Sequence, residues 1–354
     1  MTHAALHTRV CDLFGVEYPI VQTGMGWVAG ARLTSATSAA GGLGILASAT
    51  MTFDELVKAV HAVKDRTDRP FGVNMRADAD DAEDRIDLVI TEGVKVASFA
   101  LAPKADLIKK LKDHGVCVVP SIGAKRHAEK VAQWGVDAVI VQGGEGGGHT
   151  GPVPTTLLLP QVCEAVDIPV IAAGGFFNGA GLVAALAYGA SAVAMGTRFL
   201  LTQESTVPEA VKQYYLGKAV TDTVVSTKVD GVPHRVLRTD LVDELERTGR
   251  VASLPRAIRN AAAFKKLSGQ SWASMIREGR AMKRSQDLTW SQVVMAGNTP
   301  MLLKAALVEG RVDAGVMASG QVVGVIDDLP TVAELIQRVM QEADETLTRL
   351  GVGR

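Results

Sequence analysis

With 354 residues, 47% of them hydrophobic, the chain can bury a sizeable core as one large α/β domain or two smaller ones. A formal net charge of −1 offers no global field to nucleic acid or an anionic membrane, so the expected partner is a small molecule and any anion must be held by a local patch. Cys11, Cys117 and Cys163 are scattered and lack CxxC spacing, which excludes a disulfide framework and fits a cytoplasmic protein; no apolar stretch has the length of a signal peptide or a membrane span.

In chain order, short apolar runs alternate with helix-favouring stretches. Strands are predicted at Pro19 to Thr23, Gly42 to Ser48, Phe71 to Met75, Val94 to Ala100, Val116 to Ile122, Ala138 to Gly143, Pro169 to Gly175 and Ala192 to Phe199. Helical patterns fall between them, for example at Phe53 to Arg66, Lys104 to His114, Ala124 to Trp134, Thr156 to Val166 and Gly179 to Tyr188. Alternating βα units imply a parallel sheet, and eight repeats are the number that closes a TIM (β/α)8 barrel, with its reactive groups on loops at the strand C-termini. An open doubly wound sheet would begin with a GxGxxG turn, and none follows the first strand. From 203 to 299 the sequence turns polar and rich in helix formers. It reads as a mainly helical insert after strand eight, placed over the mouth of a barrel formed by 1–202 and 300–354, with Val332 to Leu350 a terminal helix packing back on it.

The run Gln142-Gly143-Gly144-Glu145-Gly146-Gly147-Gly148-His149 follows the sixth strand. Glycine permits positive φ and removes the Cβ that keeps a flat ligand away, so this run reads as an active-site loop presenting His149, and as a poor choice for anything packed. Gly174-Gly175 after strand seven and Gly196-Thr197 after strand eight occupy the two positions where TIM barrels commonly cradle phosphate with bare amides and a helix N-terminus. Gln22 and Thr23 before Gly24, Asn74 after strand three and Gln142 after strand six are neutral groups suited to the polar edge of a flavin ring. They do not suit a metal, since His149 has only Glu145 nearby in sequence, and no metal is expected.

Taken together, the segments Pro19 to Val28, Ala40 to Gly44, Pro70 to Asn74, Gly144 to Gly151, Gly174-Gly175, Gly196 to Phe199 and Ala318 to Gln321 resemble the nitronate monooxygenase (2-nitropropane dioxygenase) family, which also contains flavin-dependent enoyl-acyl-carrier-protein reductases. Within it the chain looks most like actinobacterial members acting on coenzyme A thioesters of steroid-ring degradation. The resemblance implies FMN at the barrel mouth, its phosphate at Gly174, Gly175, Gly196 and Thr197, its ring near Gln22, Gly24, Asn74, Gln142 and Gly148, and His149 as the acid or base. Where nitronate monooxygenases tend to carry a Lys after the fifth strand and an acid after the sixth, this chain has Ser121 and Gln142, which weakens the nitronate assignment.

A histidine titrating near neutrality can take or give the proton while hydride passes to or from a flavin. Lys104 puts a cation after the fourth strand, where it could polarise a thioester or enolate oxygen. Between Pro255 and Arg284 eight Lys and Arg side chains, among them Arg256 and Arg259, face a single acid, Glu278; this is either a site for coenzyme A phosphates or a solvated basic face. The activity that the resemblance implies is FMN-dependent dehydrogenation, or its reverse, of an acyl-CoA, a bicyclic intermediate of steroid degradation. The alternatives are nitronate oxidation with oxygen, NAD(P)H-dependent enoyl-thioester reduction, and flavin binding without turnover. The apolar helices would also support a homodimer.

Overall fold

The computed structural model describes residues 3–100, 102–247 and 298–353, with isolated positions between 262 and 293. All eight predicted strands form. They are β1 (Ile20–Gln22), β2 (Leu43–Ala47), β3 (Phe71–Met75), β4 (Val96–Phe99), β5 (Cys117–Ile122) and β6 (Val139–Gln142), then, beyond the two-residue β7 (Gly148–His149), β8 (Val170–Ala173) and β9 (Ala192–Met195). Excluding β7, these pair in parallel, each with the next, and β9 returns to β1 to close a TIM barrel.

The strands bury both faces, which is why they read as continuous apolar runs. Alternate residues still divide cleanly. Val21, Leu43, Ile45, Val96, Val119 and Ile140 fill the interior, while Ile20, Leu46, Val73, Ala97, Val118 and Val139 pack against the helix layer. The helix Arg9–Phe14 closes the barrel floor, with Val10 and Phe14 wholly buried among the interior residues. The same two-residue phase, continued upward through the strand register, brings Asn74, Ser98, Ser121 and Gln142 to the open end. Polar groups thus replace apolar ones only at the mouth.

The terminal helix Val332–Arg349 starts in a capping box made by Thr331 and Glu334 and packs on the helix Gly179–Ala187. Gly179 allows that approach, because a Cβ there would run into the Ala343 nitrogen and the Val339 carbonyl. After β9 the segment expected to be mainly helical does contain helices, Glu209–Leu216 and Asp240–Arg247, but between them stands an antiparallel hairpin, β10 (Thr223–Ser226) and β11 (His234–Leu237). Its inner strand β11 pairs antiparallel with β7, His234 opposite His149 and Arg235 opposite Gly148. Among the described residues no helix is long and apolar enough to cross a membrane.

Candidate active site

The glycine loop is packed, contrary to the sequence expectation. A Cβ on Gly143 would collide with Thr155, one on Gly146 would lie 2.6 Å from the Gln142 amide nitrogen, and one on Gly147 would lie 2.5 Å from the Ser319 carbonyl carbon. The glycines are there because protein backbone approaches on several sides. Only Gly148, with φ +75° and nothing within 4 Å of its missing Cβ, behaves as the open turn that was anticipated.

Polar contacts clamp the loop on all but the open side at Gly148. Gln142 Nε2 donates to the carbonyls of Gly147 (3.2 Å) and His149 (2.9 Å), so this amide holds the loop. The Thr155 amide and hydroxyl donate to the Glu145 carboxylate at 2.9 and 2.8 Å, and the same hydroxyl lies 3.0 Å from the Gly174 carbonyl. Arg235 donates through two nitrogens to the Gly144 carbonyl, and the Gln321 amide donates to the Glu145 carbonyl.

This clamped loop presents His149 with its side chain 61% exposed. Nε2 donates to Asp230 Oδ2 at 2.7 Å; the same oxygen accepts from His234 Nδ1 (3.1 Å) and the Thr299 hydroxyl (2.8 Å), while Oδ1 accepts from the Val232 amide (3.3 Å). The two imidazole centroids are 4.6 Å apart. Asp230 and His234 are almost fully buried. Burial works to raise the Asp230 carboxyl, but the hydrogen bonds from His149 and His234 outweigh it and hold the group well below the ordinary carboxylate range. Burial pushes His234 below the usual imidazole range despite the pull of Asp230, and its Nε2 has no partner among the described residues.

The expectation that His149 has only Glu145 near it is therefore corrected. Glu145 is committed to Thr155, and the real neighbours arrive from the insert, 81 and 85 positions later in the chain. Ligand atoms of His149, Asp230 and His234 lie within 4.8 Å of one another, close enough to share a metal ion. Three contacts already converge on one carboxylate oxygen, so Asp230 is committed to holding the two imidazoles and Thr299.

The other expected residues divide. Thr23, Asn74, Gln142, Gly174, Gly175 and Gly196 gather at the mouth and are exposed or half-buried. Gly175, φ +86°, has only the Glu145 Cβ near the place of its own, at 3.7 Å. Gly196 adjoins Thr23 across the β9–β1 seam, and a Cβ there would make only ordinary contact with Thr23 and Met25. Gly24 lies against the Asn74 side chain. Thr197 is buried and its hydroxyl accepts from the Gly320 amide at 3.0 Å, in a helix of a single turn, Thr197–Leu200.

Gln22 is not brought to the mouth. The register puts it on the outward phase with Ile20 and Met195, wholly buried, its amide donating to the Thr23 and Ile45 carbonyls. A one-residue offset reverses the face, and the apolar run around Gln22 gave no phase to read. Lys104 is exposed at the start of the helix Ala105–Asp113. Arg256 and Arg259 lie outside the described residues. Sequence reasoning missed Asp230, His234 and Thr299; the Asp230-Gly231 pair between two short β-prone runs was the available signal.

A description of the nitronate monooxygenase family matches residues 7–87 and 82–342. Two curated relatives named (3aS,4S,5R,7aS)-5-hydroxy-7a-methyl-1-oxo-octahydro-1H-indene-4-carboxyl-CoA dehydrogenase are each 64% identical. The Rhodococcus jostii protein aligns over 351 residues, 99% of both chains, and the Mycobacterium tuberculosis protein over 341 residues, 96% of both. Among solved structures, FabK from Thermotoga maritima superposes with a TM-score of 0.78 at 35% identity, covering 97% of this chain and 98% of its own. Barrel, clamped glycine loop and near full-length likeness agree: the chain is an oxidoreductase and belongs to the nitronate monooxygenase family.

Proposed function

We propose that this enzyme is an FMN-dependent dehydrogenase of a bicyclic coenzyme A thioester, with His149 as its acid/base. The observation that carries the reading is the coincidence of near full-length, 64% identity to two proteins so named with an exposed imidazole held at the barrel mouth by a buried carboxylate.

The residues present fit the cofactor. Gly175 and Gly196 leave space where a Cβ would stand, and positive φ at Gly174 and Gly175 shapes the turn for close approach by a phosphate. Thr23 and the Asn74 amide border the same mouth, and Gly148 leaves one side of the loop free for a planar ring. FMN, when bound, supplies the acceptor for a hydride. The protein supplies the rest: His149 takes the proton that leaves the substrate, and the clamped loop fixes the imidazole so that no reorganisation is needed when charge develops.

The test is anaerobic addition of the bicyclic CoA thioester, a nitronate, or NAD(P)H followed by an enoyl thioester, to the FMN-loaded protein while flavin absorbance is followed. Bleaching by the bicyclic thioester is expected. Bleaching by the nitronate alone would make the protein a nitronate monooxygenase, and reduction by NAD(P)H with reoxidation by the enoyl thioester would make it a reductase. Failure of all three would leave a flavin-binding protein without turnover.

A further inference from the structure

Building on His149 as the acid/base, we propose that Asp230 is a positioning residue that decides which nitrogen of His149 reacts: Nε2 keeps its proton on Asp230, and Nδ1 takes or returns the substrate proton.

The Thr299 hydroxyl and the Val232 amide donate to Asp230, which is ionised and can only accept, so the His149 nitrogen 2.7 Å from Oδ2 must carry hydrogen. A neutral imidazole carries one N–H. Nδ1 is therefore the lone-pair nitrogen. Asp230 is 2% exposed and His149 61%, so the ring edge bonded to Asp230 is the inner one.

Charge strengthens the assignment. Thr299 and the Val232 amide are neutral, and His234 is held neutral by burial while it donates through Nδ1. None of them cancels the Asp230 charge. Arg235, on the opposite phase of β11, is spent on the Gly144 carbonyl and Thr223, and Glu145 is spent on Thr155. Among the described residues, His149 is the remaining neighbour able to balance Asp230, and it does so when Nδ1 gains a proton. In dehydrogenation the proton leaving the substrate would form an N–H bond at Nδ1, with bound FMN as the acceptor available to the accompanying hydride, and the imidazolium so formed would be stabilised by Asp230 across 2.7 Å before releasing its proton to solvent.

The experiment compares Asp230→Asn and His149→Ala with the parent holoenzyme on the bicyclic thioester. For Asp230→Asn, kcat should fall by at least about 100-fold, with KM and FMN content within about twofold of the parent. An unaffected His149→Ala would remove the acid/base reading itself. An inactive His149→Ala beside an Asp230→Asn enzyme with parental kcat would overturn only the role given to Asp230. Should Asp230→Asn not fold, NMR of the unsubstituted holoenzyme with nitrogen-15 in its histidine rings decides, the His149 signals being assigned by their loss in His149→Gln. A protonated Nε2 with bare Nδ1 supports the assignment, and the reverse tautomer overturns it.

Discussion

Gly147 and Ser319 lie so close that a Cβ on the first would stand 2.5 Å from the carbonyl carbon of the second and 2.6 Å from the Gly320 nitrogen. Both neighbours are backbone, and Ser319 is wholly buried, so neither yields cheaply. Gly147→Ala should lower stability by about 1–3 kcal/mol, the range for overpacking, and reduce kcat by displacing His149. Gly148→Ala meets open space and only the strain of φ +75°, roughly 1–2 kcal/mol. Denaturant unfolding of the two variants checks the order; a Gly147→Ala protein as stable and active as the parent would show that the clamp does not matter.

Thr155 ties the glycine loop to the phosphate side, its hydroxyl lying 2.8 Å from Glu145 Oε2 and 3.0 Å from the Gly174 carbonyl. Thr155→Val keeps the shape and removes the donor, at a cost of about 1–3 kcal/mol for acceptors left unpaired. We expect weaker FMN binding together with a lower Tm. Titration with FMN under fluorescence reads the first, and an unchanged Kd would separate the two loops.

Gly196 has φ −103°, so a side chain there meets no backbone strain, and its Cβ would make only ordinary contacts. Gly196→Val should therefore leave the fold intact and fill the cradle, raising the Kd for FMN at least about tenfold, which corresponds to roughly 1.4 kcal/mol. Retention of cofactor through dialysis at the parental level would move the phosphate elsewhere.

The buried His234 predicts an acid-side weakness. Its folded-state pKa lies below the ordinary 6.5, so between those two values the unfolded chain takes up a proton that the native state refuses. Stability from this group is whole above about pH 6.5 and declines as pH falls below it, with a limiting slope of about 1.4 kcal/mol per pH unit until the folded-state value is reached. Urea unfolding from pH 7.5 downward should show this slope in the parent and lose it in His234→Gln. A flat parental profile would contradict a neutral, buried His234.

The barrel was legible because each strand is an apolar run closed by a turn residue, a signal contained within a few neighbours. The mouth was partly legible for the same reason: Asn74, Gln142, Gly175 and Gly196 sit where those runs end. Gln22 was misplaced because three residues of strand buried on both sides carry no alternation from which to read a face. The hairpin of the insert left only the Asp230-Gly231 pair as a local sign. TVVS and HRVL are short, and β11 is completed by Gly148–His149, a partner far away in sequence that no local pattern can announce. Asp230 was missed with it, since its meaning comes from His149 and Thr299 and not from its own neighbours.

The residues that complete the reactive loop also set the order in which the enzyme can come into being. A nascent chain has every barrel strand once Met195 is made, yet Asp230, Thr299 and the Ser319-Gly320 backbone that seats Gly147 are still to follow. Catalytic competence thus waits on residues made after the whole barrel, and the loop that carries His149 is seated only when the chain beyond the last strand folds back onto it.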